Sequence, residues 1–153
     1  MSWFKDWFYN TYYHLLYKNR DFSEAEKFIE NLINYLSPSK GGRFLDLACG
    51  KGRHSVFLNK LGFDVTGVDL SEESIVSAKE FSADSLRFDV HDMRDVYQKM
   101  KFDYVFNLFT SFGYFEDDDE DLKVLKSVHE MLNTQGVIVL DYLNSTKVVN
   151  DLV

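Results

Sequence analysis

Arg43-Phe44-Leu45-Asp46-Leu47-Ala48-Cys49-Gly50-Lys51-Gly52-Arg53-His54-Ser55 is the stretch that decides how this chain is read. Residues 43–48 form a short apolar run, two glycines break it, and helical spacing of apolar residues resumes over Arg53–Leu61. A strand that is apolar throughout, rather than alternating, fits a parallel sheet covered on both faces. The same unit then repeats. FDVTGVD (63–69) predicts a second strand, followed by a helix that Ser71 can cap, with Glu72 and Glu73 in its first turn. SLRFDV (85–90) and FDYVFNLF (102–109) predict strands three and four, Asp118–Asn133 a helix closed by Gly136, and GVIVLDY (136–142) strand five. Strands alternating with helices, joined by right-handed crossovers, give a doubly wound α/β sheet of Rossmann-like type.

Working outward, the segment before residue 43 reads as helical, with Phe22, Ala25, Phe28, Ile29, Leu32, Ile33 and Leu36 at three- and four-residue spacing. Ser23 and Glu26 make a capping-box pattern there. Ser37-Pro38-Ser39-Lys40-Gly41-Gly42 ends it and holds the chain's single proline. We therefore expect an N-terminal helical cap over residues 1–40 and a core over 41–153. The chain's 153 residues suffice for one domain with a real core. Its longest uncharged stretches, Trp7–Tyr17, Tyr104–Phe115 and Met131–Leu140, fall short of the roughly 20 apolar residues that span a bilayer. MSWFKDWF has neither a basic leader nor a small-residue cleavage site, and one cysteine cannot build a disulfide framework, so a cytoplasmic location is expected.

The net charge is −8, from 17 basic and 25 acidic residues. Six of the acids lie in one run, Glu116–Asp121, and removing them leaves −2. With lysines and arginines scattered, neither nucleic acid nor an anionic membrane surface is expected as a partner, since both need clustered cations. The acidic run itself reads as the solvated start of a helix, favoured by the helix dipole.

In an open parallel sheet, ligands sit beyond the carboxyl ends of the strands. The residues there are Asp46 to Gly52, Asp69, Asp92 with Met93, and Asn107 to Gly113. Gly50 and Gly52 allow positive φ and close approach of a ligand, although a tight strand-to-helix turn needs glycine for geometry alone. Asp69, 23 residues after Asp46, can accept hydrogen bonds from both ribose hydroxyls of a nucleoside.

LDLACGKGRHS, VTGVDLS, HDMRD and FDYVFNLFTSFGYF resemble, in order and spacing, the motifs of class I S-adenosylmethionine-dependent methyltransferases over residues 43–145. The resemblance implies strand order 3-2-1-4-5, S-adenosylmethionine as cofactor with S-adenosylhomocysteine as product, and methyl transfer to a small-molecule acceptor. It also implies roles. Asp46 and the backbone of Ala48, Cys49, Gly50 and Gly52 would line the methionyl part. Asp69 would hold the ribose hydroxyls and Leu70 would pack on the adenine. Asp92 with the Met93 N–H would read the adenine edge, and Asn107, Leu108 and Phe109 would lie beside the sulfonium. Ala48 departs from the first glycine common at that place.

Two other readings remain open. Gly50-x-Gly52-x-x-Ser55 comes close to a dinucleotide fingerprint, as in a dinucleotide-dependent oxidoreductase, but Asp46 would repel a pyrophosphate. The chain could also bind the cofactor without turnover. No general base stands out: His14, His54, His91 and His129 form no pair with metal-ligand spacing, and no metal site is expected. His54 reads as structural and His129 as solvated, Cys49 as a small buried hydrophobe, and Phe112 and Phe115 as core. Trp3, Phe4, Trp7, Phe8, Tyr9, Tyr12, Tyr13 and Tyr17 make a lid, with Tyr13 or Tyr17 and Arg20 near the methionyl carboxylate, or else a patch for self-association. The family's closing antiparallel hairpin has no counterpart before Val153, so the chain is expected to be a fragment. A partner-supplied edge or a shortened domain are the alternatives, and a homodimer could form through the strand-five edge or the N-terminal aromatics.

Overall fold

The computed structural model describes residues 22–98, 100–142 and 144–151. The aromatic N-terminal stretch, with Tyr13, Tyr17 and Arg20, lies outside the described residues. Helix α1 (Phe22–Leu36) precedes β1 (Arg43–Leu47), α2 (Arg53–Lys60), β2 (Asp64–Asp69), α3 (Glu72–Ala78), a short 3-10 turn, β3 (Leu86–Val90), β4 (Phe102–Asn107), α4 (Asp118–Met131), β5 (Leu132–Leu140) and α5 (Ser145–Asp151). The strands form one parallel sheet in the order β3-β2-β1-β4-β5. The chain therefore reverses its winding between β1 and β4, where the loops after the two strands part and leave a crevice.

Two apolar layers sandwich the sheet because both faces of its central strands are buried. On one face Phe44, Phe88 and Phe106 pack with Ile29 of α1, Leu58 of α2 and Ile75 of α3. On the other, Leu45, Leu47, Val68 and Val105 pack with Val124, Val128 and Met131 of α4. Since successive side chains of a strand alternate faces, Asp46 shares the Phe44 face and looks toward α2.

Several boundaries differ from the expectations, each for a local reason. Helix α1 already includes Phe22, so Ser23 lies within it rather than capping it. Strand β4 stops at Asn107, because Phe109 and Thr110 both adopt left-handed backbone, φ 58° and 60°. Gly136 does not close the preceding helix. That helix ends at Met131, Leu132 turns straight to extended backbone at ψ 140°, and β5 begins there. The extra residues after Leu132 bulge out between the pairs Phe102–Leu132 and Tyr104–Val137. A Cβ on Gly136 would lie 2.9 Å from the Asn133 carbonyl oxygen, so the glycine serves the bulge. Among the described residues β5 pairs on one side alone and leaves Val137 and Leu140 exposed. No helix among them is long and apolar enough to cross a membrane.

Candidate functional site

The loop after β1 folds over the sheet end because three of its residues take positive φ: Ala48 at 63°, Gly50 at 56° and Gly52 at 79°. At Gly52 the need for glycine is doubled. A Cβ there would sit 2.6 Å from the Phe88 ring, and one on Gly67 equally close, so Phe88 lies in the room two absent side chains leave. This draws the start of α2 down onto β2 and β3. The Cys49 N–H donates to the Val68 carbonyl at 2.9 Å, and the Gly52 N–H to the Cys49 carbonyl at 3.0 Å.

Asp46 is 2% exposed and accepts a hydrogen bond from the Ser55 hydroxyl of α2 at 2.5 Å. Burial raises its pKa from 3.8 to about 6; the Asp69 charge adds to the rise, while the Ser55 bond and Arg53 work against it. At the end of β2, the Asp69 carboxylate accepts from the Gly50 N–H through Oδ2 and the Ser71 N–H through Oδ1, both at 2.8 Å. Burial pushes its pKa up too, against those backbone donors. The Cys49 thiol is pushed well up by burial and by both carboxylates, so it is a protonated loop residue rather than a nucleophile. Leu70 is half-buried beside Asp69.

The end of β3 joins this group through the His91 N–H, which donates to the Asp69 carbonyl at 3.0 Å. Asp92 and Met93 are half-buried there. The Arg94 side chain holds the Asp92 carboxyl below its ordinary range. At the end of β4, buried Asn107 donates from Nδ2 to the Leu47 carbonyl at 3.0 Å and lies 3.9 Å from the Met93 sulfur, while its Oδ1 is buried with no hydrogen-bond partner. Leu108 is buried. Phe109 stacks on His54 at 4.9 Å between ring centroids, meets Phe28 edge-on at 5.6 Å, and carries the Arg53 guanidinium 4.3 Å above its ring. His54 is buried and its pKa is lowered to about 3, so it is neutral at pH 7. All twelve residues read as cofactor-lining thus come from the ends of four adjacent strands.

A buried and a half-buried carboxylate, both raised by desolvation, and an unpartnered buried carbonyl oxygen together suit a ligand that is cationic and rich in hydrogen-bond donors. S-adenosylmethionine has an ammonium, a sulfonium and two ribose hydroxyls, and fits that demand. A pyrophosphate does not. Among the described residues, no three His, Cys, Asp or Glu side chains converge as a metal site.

Residues 44–136 match the methyltransferase domain family. The chain belongs to the class I S-adenosylmethionine-dependent methyltransferases. It is 35% identical over 130 residues to a glycine/sarcosine N-methyltransferase of Aphanothece halophytica, covering 82% of this chain and 48% of that protein. It is 30% identical over 135 residues to a dTDP-3-amino-3,4,6-trideoxy-alpha-D-glucopyranose N,N-dimethyltransferase of Streptomyces venezuelae, covering 87% and 54%. A crystal structure of a S-adenosylmethionine-dependent methyltransferase from Clostridium acetobutylicum superposes with a TM-score of 0.70 at 27% identity, covering 89% of this chain and 56% of that one. This methyltransferase chain spans about half the length of the curated relatives it matches.

Sequence reasoning missed several residues that shape these strand ends. Ser55 holds Asp46. Asp141, just past β5, accepts the Phe109 N–H at 2.9 Å and so supports the left-handed turn there. Applying the strand-end rule to a fifth strand would have found it. The acidic run is not uniformly solvated, since Glu120 pairs with Arg94 and Lys123.

Proposed function

We propose that this chain is the cofactor-binding part of an enzyme that methylates a small-molecule acceptor, with S-adenosylmethionine as donor. The buried Asp46 and the half-buried Asp69 at adjacent strand ends, both raised in pKa by desolvation, are the observation that carries the reading. The bound cofactor supplies an electrophilic methyl group on a sulfonium. In this assignment Asp46 and the backbone of Ala48 to Gly52 hold the methionyl end. Asp69 has lone pairs beyond those given to Gly50 and Ser71, and these take the ribose hydroxyls. Leu70 covers the adenine, while Asp92 and the Met93 N–H read its edge. Asn107 turns its unpartnered oxygen to donors on the methionyl side, and Leu108 and Phe109 wall the reacting centre from water. Alignment of that kind is where such transfers gain their rate.

A cap role for the N-terminal segment stays part of the reading, supported on its described part, α1, by the edge contact of Phe28 with Phe109. The names of the Aphanothece and Streptomyces relatives point to nitrogen, so amines come first among acceptors to test. A cytoplasmic location stays part of the reading, supported by a lone buried thiol. The outer edge of β5 is where a homodimer would form. Calorimetry with S-adenosylhomocysteine and NAD tests the cofactor. Binding of the sulfur nucleoside alone is expected, and binding of NAD alone would overturn the proposal. A labelled-methyl screen over amino sugars and amino acids tests turnover, and binding without transfer to any acceptor would favour a non-catalytic module.

A further inference from the structure

Arg94 divides its side chain between two carboxylates. Its backbone N–H and Nε donate to Asp92 Oδ1 at 3.0 and 2.9 Å, and Nη2 donates to Oδ2 at 2.5 Å. The other arm, Nη1, pairs with Glu120 in the first turn of α4, and the guanidinium lies 4.9 Å over the Phe115 ring. Two further bonds tie the same loop to the same helix. The Ser127 hydroxyl donates to the Met93 carbonyl at 2.7 Å, and the Tyr97 N–H points at the Met131 sulfur at 3.2 Å. Positions 120, 127 and 131 lie on one face of α4, so that face is the template on which residues 92–97 are laid out.

A carboxylate has about four lone-pair positions. Arg94 fills both of those on Asp92 Oδ1 and one on Oδ2, which leaves a single acceptor position. We infer that Arg94 is a specificity-determining positioning residue: it sets Asp92 so that one acceptor remains for the 6-amino group of a purine, and it bars a 6-oxo purine from the cofactor site. A 6-oxo group would bring a carbonyl oxygen against a fixed anion. This rests on the assignment of Asp92 to the adenine edge made above. The planar fork matters, since a lysine ammonium cannot grip both Asp92 oxygens and Glu120 at once. The Arg94 side-chain hydrogen bonds also hold the Asp92 carboxyl below its ordinary range, against its partial burial.

The test compares S-adenosylhomocysteine with its hypoxanthine analogue by calorimetry on the 153-residue chain, as wild type, Arg94→Lys, Glu120→Gln and Asp92→Asn. The wild type is expected to prefer adenine by about 10- to 150-fold, the range of one hydrogen bond to a charged group. Arg94→Lys should bring the ratio to within about threefold of one. Glu120→Gln, which frees only the far anchor, should lower it part-way. If Arg94→Lys weakens both ligands equally and keeps the ratio while Asp92→Asn abolishes it, Arg94 is only structural and the inference falls, with the Asp92 assignment intact. If Asp92→Asn keeps the ratio, the assignment itself fails and takes the inference with it, as does a wild-type ratio near one. Thermal melts accompany each variant. Should Arg94→Lys not fold, the isosteric change Glu120→Gln decides by the same two outcomes.

Discussion

Replacing Asp46 by Asn should make the unliganded protein more stable and a poorer binder. The folded chain keeps the Asp46 proton up to about pH 6, whereas the unfolded chain releases it near 3.8. Between those values the folded state binds more protons, so the Asp46 contribution to stability falls as pH rises, is fully lost above pH 6, and is restored below 3.8. The ionised form is disfavoured by on the order of 3 kcal/mol at neutral pH. Asn removes that charge and keeps an oxygen for the Ser55 hydroxyl, 2.5 Å away in the native protein. Its new amide N–H groups need acceptors in a buried place, which reduces the net gain to about 1–2 kcal/mol. For a domain of this length that is a rise in Tm of about 2–8 °C. Differential scanning calorimetry of both proteins from pH 4 to 8 is the assay. The gap should open between pH 4 and 6 and stay flat above. The difference curve isolates Asp46 from Asp69, which shifts the same way, and from Asp92 and Asp103, which shift the other way. In parallel, S-adenosylhomocysteine at about 100 times its Kd should stabilise the wild type by about 2.7 kcal/mol. The same concentration should barely shift the variant. A gap that is absent at pH 8, or constant across the range, would refute the buried-charge account. An undiminished ligand shift in the variant would remove Asp46 from the methionyl end.

Asp69→Ala strands the Gly50 and Ser71 N–H groups and removes the proposed ribose acceptor. It should cost about 1–2 kcal/mol of stability in a urea melt and weaken S-adenosylhomocysteine by calorimetry at least 100-fold, the order expected of two lost bonds to a charged group; unchanged affinity would end its ribose role. Ala48→Gly relieves a left-handed alanine and should raise Tm by a few degrees, for a gain of about 1 kcal/mol, while a fall in Tm would show that the loop does not hold φ near 63°. Gly52→Ala meets both the Phe88 ring and a positive φ and should cost about 2–4 kcal/mol in chemical denaturation. Adding Phe88→Leu should recover only the steric part, and full recovery would show that the backbone carries no strain.

The sheet was legible because its strands are apolar on both faces, so RFLDL and DVTGVD announce themselves without any partner in view. Chirality of the crossovers then leaves few arrangements, and the family motifs place Asp46, Asp69, Asp92 and Asn107 at adjacent strand ends, where they lie. What stayed hidden was of two kinds. Leu132 leaves the helix without glycine or proline, because the extended backbone is bought by pairing with Phe102, a contact 30 residues away in sequence. Gly136, a plausible stop signal, is consumed by a bulge instead. The Arg94 clamp joins residues 26 apart that share no period, and only the packing of α4 against the post-β3 loop brings them together. Local pattern reports strands and turns; it does not report which distant charges the packing will pair.

The ends of β1 and β2 disfavour a dinucleotide in a loop so near a dinucleotide fingerprint. In the dinucleotide arrangement, backbone N–H groups at the start of the helix face a pyrophosphate. Here the Gly50 N–H is already given to Asp69, and Asp46 stands behind the loop with its charge largely desolvated. A doubly charged phosphate bridge would lose a donor and meet Asp46 in a low-dielectric setting, where repulsion is least screened. A sulfonium nucleoside would meet the opposite balance: in the proposed assignment its cationic end offsets the charge that makes Asp46 costly, and its ribose hydroxyls use the lone pairs that Asp69 has left. The instability that burying Asp46 builds into this strand end is therefore the same free energy that disfavours a pyrophosphate there. Any substitution that calms the pocket should blunt that discrimination.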